Sequence, residues 1–332
     1  MAAIPLESRR IVIAGASWLL GTELKSILEE SRFAASDFRL LDEETVAGTL
    51  TEAGGEAAVI QPVEEDSFDK AWIVFFTGSL AFTRTNLALA RRSAAYIVDL
   101  SGELAGQIDT SAWLPHFAPR SARPTGNLFA IPSAAAEIIL RLTVALGSLR
   151  PVAVNAVAFQ PVSAAGRPGI EELESQTGQL LSFQPVGKQI FDAQIAYTVL
   201  DRYGLASSQS LGASLDTIRN EIRACLPEDA QSPAVILLHA PVFYGATVAA
   251  CAFLDARANA ADIAGLCCRS GFTLTDAGSP PSNLSCAGEI SLQLAPPARD
   301  LSNPAAWWFW AAADNLRLPA MNAVKLAEKL LE

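Results

Sequence analysis

The sequence is short of charged residues and has no extended run of basic ones. Only 18% of its 332 residues are charged, the formal net charge is −11, and no Lys/Arg run exceeds a pair. An acidic protein is repelled by nucleic-acid phosphates and by anionic lipid headgroups. The composition therefore argues against nucleic acid and against a membrane surface as general partners.

Cysteine is absent from the first 224 residues. The later cysteines are Cys225, Cys251, Cys267, Cys268 and Cys286. An odd number without metal-ligand spacing is typical of reduced thiols in a cytoplasm rather than of a disulfide framework. The first ten residues include Glu7, Arg9 and Arg10 and predict no signal peptide. We therefore expect a cytoplasmic protein without a structural metal.

One stretch, residues 235–254, is apolar over about the thickness of a bilayer. His239, Pro241 and Gly245 lie within it, and such residues are poorly suited to a membrane-spanning helix. The pattern instead predicts two short buried strands around a turn.

The first 130 residues alternate short apolar runs with helical segments. The predicted strands cover residues 11–14, 39–41, 72–76 and 95–99, and an amphipathic helix is expected over 21–31. Strands alternating with helices, joined by short glycine-containing loops, are typical of a doubly wound parallel sheet. We predict an α/β, Rossmann-like domain over residues 1–130.

The pattern changes after residue 150. Longer strands such as 152–160 alternate with long connections, which predicts an antiparallel or mixed sheet with helices on one face. We assign residues 131–312 to this second domain. Residues 313–332 are predicted to form a final helix, because Leu316, Ala320, Val324 and Ala327 make an apolar stripe.

Six segments spread over the chain form a recognisable set: Gly-Ala-Ser-Trp-Leu-Leu-Gly at 15–21, Gln-Pro-Val-Ser-Ala-Ala-Gly at 160–166, Gly-Ile-Glu-Glu-Leu at 169–173, Gln-Ile-Ala-Tyr at 194–197, Pro-Val-Phe-Tyr-Gly at 241–245 and Ala-Asp-Asn-Leu-Arg at 313–317. Together, in this order, they resemble the aspartate-semialdehyde dehydrogenase family over nearly the whole chain. The resemblance implies a Rossmann-like domain followed by an α+β, glyceraldehyde-phosphate-dehydrogenase-like dimerisation domain. It also implies a homodimer and a last helix that packs back on the first domain.

The loop that would hold the dinucleotide is altered. Its remnant is Gly15, Ala16, Ser17, Trp18 and Gly21, with Trp18 where the family has a glycine that lets backbone approach the pyrophosphate. We interpret Trp18 as a core residue that fills the vacant groove; an indole that swings out is the alternative. No cofactor is therefore expected, whereas NAD or NADP would bind if an enzymatic alternative holds.

Two anion-binding segments of the family are also changed. Residues 42–45 read Asp-Glu-Glu-Thr where NADP-using members bind the 2′-phosphate, so Asp42 either accepts bonds from an NAD ribose or belongs to a solvated acidic turn. Ala105 replaces the family's phosphate-binding arginine, and Glu103 adds a negative charge. We expect no guanidinium substitute in that neighbourhood.

The residues that would carry the covalent chemistry are replaced as well. Ala134 stands at the position of the thioester-forming cysteine, and Ala246 at that of the acid/base histidine. Gln160 is present but has nothing to orient. His239 replaces the arginine that binds the substrate carboxylate, and within an apolar strand we interpret it as a satisfied core residue.

These replacements predict a pseudoenzyme that binds a partner, such as an active paralogue in a mixed dimer, or senses a small molecule. The alternative is an NAD(P)-dependent semialdehyde oxidoreductase with non-thioester chemistry, for which Ser133, Gln160 and His239 are the candidate groups. Cys225 and Cys251 have no flanking base and are interpreted as packing thiols.

Overall fold

The computed structural model describes residues 9–53, 55–117, 124–228, 230–255, 257–276 and 278–332. The chain divides into two compact units. Unit 1 takes the residues up to Pro132 together with Pro319–Glu332, and unit 2 takes Ser133–Leu318. None of the helices in these described ranges is both long and apolar enough to cross a bilayer.

Unit 1 is built on a seven-stranded parallel sheet with the order β5-β2-β1-β6-β7-β9-β8. Its elements are β1 (Arg10–Ala14), α1 (Leu19–Glu29), β2 (Asp37–Asp42), β3 (Leu50–Ala53), β4 (Glu56–Val59), β5 (Gln61–Pro62), β6 (Ala71–Phe76), α2 (Leu80–Ala90), β7 (Tyr96–Asp99), β8 (Ser111–Ala112) and β9 (Leu128–Ala130). Strands β3 and β4 form a separate hairpin. The predicted doubly wound sheet is confirmed.

The central strands of this sheet are buried because their side chains are apolar on both faces. Residues 11–14 of β1 and 73–76 of β6 are completely buried and feed two hydrophobic clusters, one on each side of the sheet. A parallel sheet covered on both faces requires such continuous apolar runs rather than alternation.

Unit 2 contains a mixed sheet with the order β11-β10-β12-β16-β14-β13, to which β15 adds on β16. Its elements are α3 (Ala134–Gly147), β10 (Val154–Gln160), α4 (Gly166–Leu181), α5 (Leu211–Cys225), β11 (Ala234–His239), β12 (Ala246–Phe253), α6 (Ala260–Arg269), β13 (Phe272–Leu274), β14 (Leu292–Leu294), β15 (Ala298–Arg299) and β16 (Ala306–Ala313). The apolar stretch 235–254 forms the two predicted strands, β11 and β12. Inward-facing side chains of the sheet share one hydrophobic cluster with α3, α5 and α6.

The last helix, α7 (Arg317–Leu331), begins later than predicted. Ala313 belongs to β16, where it pairs with Ala246. Asp314 starts the helix because its Oδ1 accepts 2.8 Å hydrogen bonds from the amides of Leu316 and Arg317. The buried stripe of α7, which includes Ala320, Val324 and Ala327, shares a hydrophobic cluster with the sheet of unit 1.

Candidate functional site

One edge of the unit 2 sheet collects three of the predicted positions. Gln160 ends β10 and pairs with His239 at the end of β11, while Ala246 begins β12 and pairs with Ala313 at the end of β16. The antiparallel register Phe159↔Thr247 then brings Gln160 beside Ala246. We name Gln160, His239, Ala246 and Ala313 the site edge.

Ala134 is the first residue of α3, a helix of 14 residues. It is buried and belongs to the same hydrophobic cluster as Ala246. Its side chain is a methyl group, which neither attacks a carbonyl carbon nor carries a proton.

His239 is fully buried beside the rings of Phe191 and Tyr203. Its Nε2 lies 3.3 Å from the carbonyl oxygen of Ile195, and its Nδ1 lies 3.3 Å from the hydroxyl of Tyr203. Because a carbonyl only accepts, Nε2 carries the proton, and Nδ1 accepts from Tyr203 when the ring is neutral. Burial lowers the pKa of His239. The imidazole is therefore neutral and has both nitrogens satisfied within unit 2.

Gln160, which has no thiol to orient, is half-buried at the end of β10. Its side chain hydrogen-bonds to Tyr203, although burial is the stronger influence and raises the pKa of the Tyr203 phenol. Tyr203 and His239 thus form a buried polar pair, with the half-buried Gln160 next to Tyr203. The sequence could not indicate it, because Tyr203 lies in a loop far along the chain from both partners.

A second polar pair lies directly beside Ala134. Ser133 is the N-cap of α3, and its hydroxyl donates a 2.6 Å hydrogen bond to Oε2 of the buried Glu221 on α5. Sequence reasoning overlooked Glu221. The signal was available, because Glu221 lies on the apolar stripe of α5, between the buried Ile218 and Ile222.

The start of β12 is held by contacts of Gly245 and Asn315. The amide of Gly245 donates to Oδ1 of Asn315 at 2.7 Å, and Nδ2 of Asn315 donates to the hydroxyl of Ser163 at 3.1 Å. Gly245 has φ +89°, and a Cβ there would lie 2.7 Å from Asn283. The strand therefore enters the sheet in one position, and the side chain it presents at 246 is again a methyl group.

Three thiols of unit 2 are poor nucleophiles. Burial, with added repulsion from Glu221 and Glu137, raises the pKa of Cys225 to about 12. Burial also raises the pKa of Cys267 and that of Cys286 to about 12. All three thiols are therefore protonated near neutral pH, which for Cys225 agrees with its interpretation as a packing thiol.

Alkylation kinetics test this assignment. At pH 8 we expect iodoacetamide to modify Cys225, Cys267 and Cys286 at least about a hundredfold more slowly in the native protein than in urea, where thiol pKa values return to about 8.5. Peptide mass spectrometry measures the rates, and the exposed Cys268 serves as the internal control. Equal native and unfolded rates at Cys225 would show a reactive thiolate and contradict the assignment.

In unit 1, the loop after β1 keeps the shape of a glycine-dependent turn. Gly15 has φ +100°, and a Cβ there would lie 2.3 Å from the amide nitrogen of Gly78. The prediction that Trp18 is a core residue is wrong: it is half-buried and outside both hydrophobic clusters. The reason is its position, since Trp18 is the extended N-cap of α1 and precedes the buried stripe that starts at Gly21.

Asp42 is not part of a solvated turn. The carboxylate is buried, and it accepts hydrogen bonds from the amide of Ser17 at 2.7 Å and from that of Glu43 at 2.8 Å. The acidic residues Glu43 and Glu44 line a neighbouring cavity of about 540 Å³. The carboxylate of Asp42 thus already accepts a hydrogen bond from one backbone amide of the loop, that of Ser17.

An arginine does lie near residues 99–105, which corrects the expectation that no guanidinium is available there. Arg84 of α2 makes two 2.8 Å hydrogen bonds to the carboxylate of Glu103. Asp99, the first residue of this segment, is completely buried. Burial raises its pKa, although hydrogen bonds from Ser101 and Leu104 act in the opposite direction. Arg84 is therefore engaged by a protein carboxylate.

Comparisons with known proteins agree on one family. Residues 142–318 match the model of the semialdehyde dehydrogenase dimerisation domain. A USG-1 protein homolog of Azotobacter vinelandii is 28% identical over 97% of each chain, and aspartate-semialdehyde dehydrogenase 2 of Vibrio cholerae is 23% identical over 97% of each. The solved structure of a probable aspartate-semialdehyde dehydrogenase from Pseudomonas aeruginosa is 25% identical, with a TM-score of 0.87 over 98% of this chain and 99% of that one.

Proposed function

The chain belongs to the semialdehyde dehydrogenase family. We propose that it is a member of this family that does not form a thioester and that it acts as a dimeric binding or regulatory protein. The observation that carries the proposal is the methyl group of Ala134 at the head of α3, where the resemblance implies a nucleophilic thiol. A covalent thioester requires a thiolate at that point.

The proton-transfer groups support the same conclusion. Ala246 offers no base at the start of β12. The neutral His239 is engaged by Tyr203 and by the carbonyl of Ile195. A general base needs a free lone pair within reach of substrate, and at this ring the lone pair on Nδ1 is taken by the phenol.

The contacts of Asp42 support loss of the dinucleotide cofactor. Its carboxylate accepts from the amide of Ser17, in a loop whose amides would face a pyrophosphate in a dinucleotide-binding protein. Two unit charges 4 Å apart repel by roughly 4 kcal/mol at an effective dielectric constant of 20. We therefore propose that neither NAD nor NADP is a resident cofactor.

The outer face of the unit 2 sheet supports a homodimer. This face is largely apolar and partly exposed; it carries Val157, Phe159, Ile236, Leu238, Ala249, Phe253, Trp308 and Trp310. The indole nitrogens of the two tryptophans already donate to Asp300 and to the carbonyl of Pro281, so neither nitrogen needs a polar partner across an interface. A continuous apolar sheet face of this kind marks a protein interface. A mixed dimer with an active paralogue would use the same face.

Charge substitution tests the dimer. We expect Trp308→Glu, at a side chain 48% exposed, to shift the protein from dimer to monomer and to raise the dimer dissociation constant at least about a hundredfold. Sedimentation equilibrium gives the constant. Ile108→Glu is the control, because Ile108 is completely exposed in unit 1. A dimer that survives Trp308→Glu unchanged places the interface elsewhere.

The activity assay that tests the main proposal supplies aspartate semialdehyde, phosphate and NADP or NAD, and the expected result is no nicotinamide reduction.

One observation favours the second candidate function, an NAD(P)-dependent semialdehyde oxidoreductase without a thioester. The hydroxyl of Ser133 donates to Glu221 beside Ala134, which is an arrangement capable of moving a proton. The free thiols at all five cysteines support a cytoplasmic location for either function.

A further inference from the structure

Two cavities meet at the turn that follows α3. Their volumes are about 410 and 390 Å³, and Ser148 and Arg150 line both. They lie at the C-terminal end of the helix, whereas Ala134 is at its N-terminal end, roughly 20 Å away at 1.5 Å per residue. Neither cavity is therefore part of the site edge.

The backbone of Arg150 is in the left-handed region, with φ +48°. The turn is closed by the amide of Arg150, which donates to the carbonyl of Gly147 at 3.0 Å. Glycine adopts this conformation freely and an arginine does so at a cost. Backbone strain of this kind is concentrated at functional positions, which makes Arg150 a candidate functional residue.

The first cavity is lined by one cationic side chain, that of Arg150. Within the described ranges, the guanidinium of Arg150 makes no ion pair or hydrogen bond, and neither do the side chains of Ser148 and Gln231 that line the same cavity. The lining residues that the structure describes there include no Asp or Glu. In a protein with a net charge of −11, this is a local site for an anion.

The second cavity differs because two carboxylates, those of Asp255 and Asp262, line it and would repel an anion. Asp255 is paired with Arg257 at 3.0 Å, whereas Asp262 accepts a 2.6 Å hydrogen bond from the neutral amide of Asn259. The ligand is therefore expected in the first cavity alone.

Most of the remaining wall of the first cavity is apolar. It includes Val144, Pro151, Val154 and Pro227, and the hydroxyl of the one further polar residue, Thr143, donates to the carbonyl of Ile139. A volume of about 410 Å³ suits a small molecule, and one convergent cation within an apolar lining defines its chemistry. The matching ligand has a carboxylate at one end and an aliphatic body at the other.

We propose that this cavity binds a small organic carboxylate with a branched aliphatic body, held by Arg150, Ser148 and Gln231. The site is separate from the site edge and does not rest on the proposed loss of thioester chemistry. Binding at the end of α3 would act on the helix that carries Ala134 at its other end.

Ligand-observed NMR titration with 4-methylpentanoate tests the proposal on the full chain, without cofactor or turnover. We expect saturable binding that weakens at least tenfold in Arg150→Gln, and at least tenfold for the neutral 4-methylpentanamide on the wild type. Arg257→Gln is the matched control and is expected to bind within twofold of wild type. Circular dichroism shows that each variant is folded.

Two outcomes overturn the proposal. One is the absence of saturable binding to the wild-type protein. The other is equal affinity of wild type and Arg150→Gln, which would place the carboxylate elsewhere on the molecule. Dehydrogenase activity of the protein would leave both readouts unchanged, so failure of this site and failure of the proposed function are distinguishable.

Discussion

Purified protein supplied with aspartate semialdehyde, phosphate and either NADP or NAD is expected to reduce no nicotinamide. The reason is chemical: the side chain of Ala134 forms no bond to an aldehyde carbon, and Ala246 takes no proton. Removing the nucleophile of a covalent enzyme costs about four to six orders of magnitude in rate. The expected turnover is therefore at least about ten-thousandfold below that of a cysteine-containing relative, followed as absorbance at 340 nm.

The control enzyme is aspartate-semialdehyde dehydrogenase 2 of Vibrio cholerae, assayed in parallel. Ala134→Cys supplies a thiol without an imidazole and is expected to remain inactive, because the start of β12 still presents Ala246. Turnover in the wild type would contradict the proposal. If that turnover disappeared in Ser133→Ala, the pair of Ser133 and Glu221 would be identified as its source, and the oxidoreductase alternative would stand.

Much of the fold follows from local patterns. Residues 11–14 and 72–76 are apolar on both faces, and only a strand inside a covered parallel sheet accommodates such a run. The breakers within 235–254 separated β11 from β12 as expected. The start of α7 was misplaced because Ala313 suits a helix by propensity, whereas its pairing with Ala246 is a tertiary contact.

The candidate site was less accessible to sequence reasoning. The loop and strand-end positions could be aligned by resemblance, but their partners could not. Tyr203 reaches Gln160 and His239 from a loop, and Asp42 turns back to the amide of Ser17. Such contacts depend on how distant segments are brought together. A single sequence shows which polar side chains are present, but it does not show which of them lie within hydrogen-bonding distance of each other.

A second large effect is expected on the stability of unit 2, from the buried ion pair of α3. We expect Arg141→Ala to lower the free energy of unfolding of unit 2 by about 3–5 kcal/mol, because it strands a buried charge. Glu137 is completely buried and pairs with Arg141 one helical turn away, and Arg141 also donates to the carbonyl of Ser270 at 3.0 Å. Without the guanidinium, the carboxylate of Glu137 loses this compensating charge in an apolar helix interface.

Urea unfolding at matched protein concentration measures the loss, with Arg202→Ala as the control. Arg202 pairs with Asp201 in solvent, and its removal is expected to leave the unfolding midpoint unchanged. The double variant Glu137→Leu/Arg141→Met removes both charges and is expected to recover most of the stability, since two apolar side chains need no compensation. A double variant as unstable as Arg141→Ala would show that the stranded charge of Glu137 does not determine the loss.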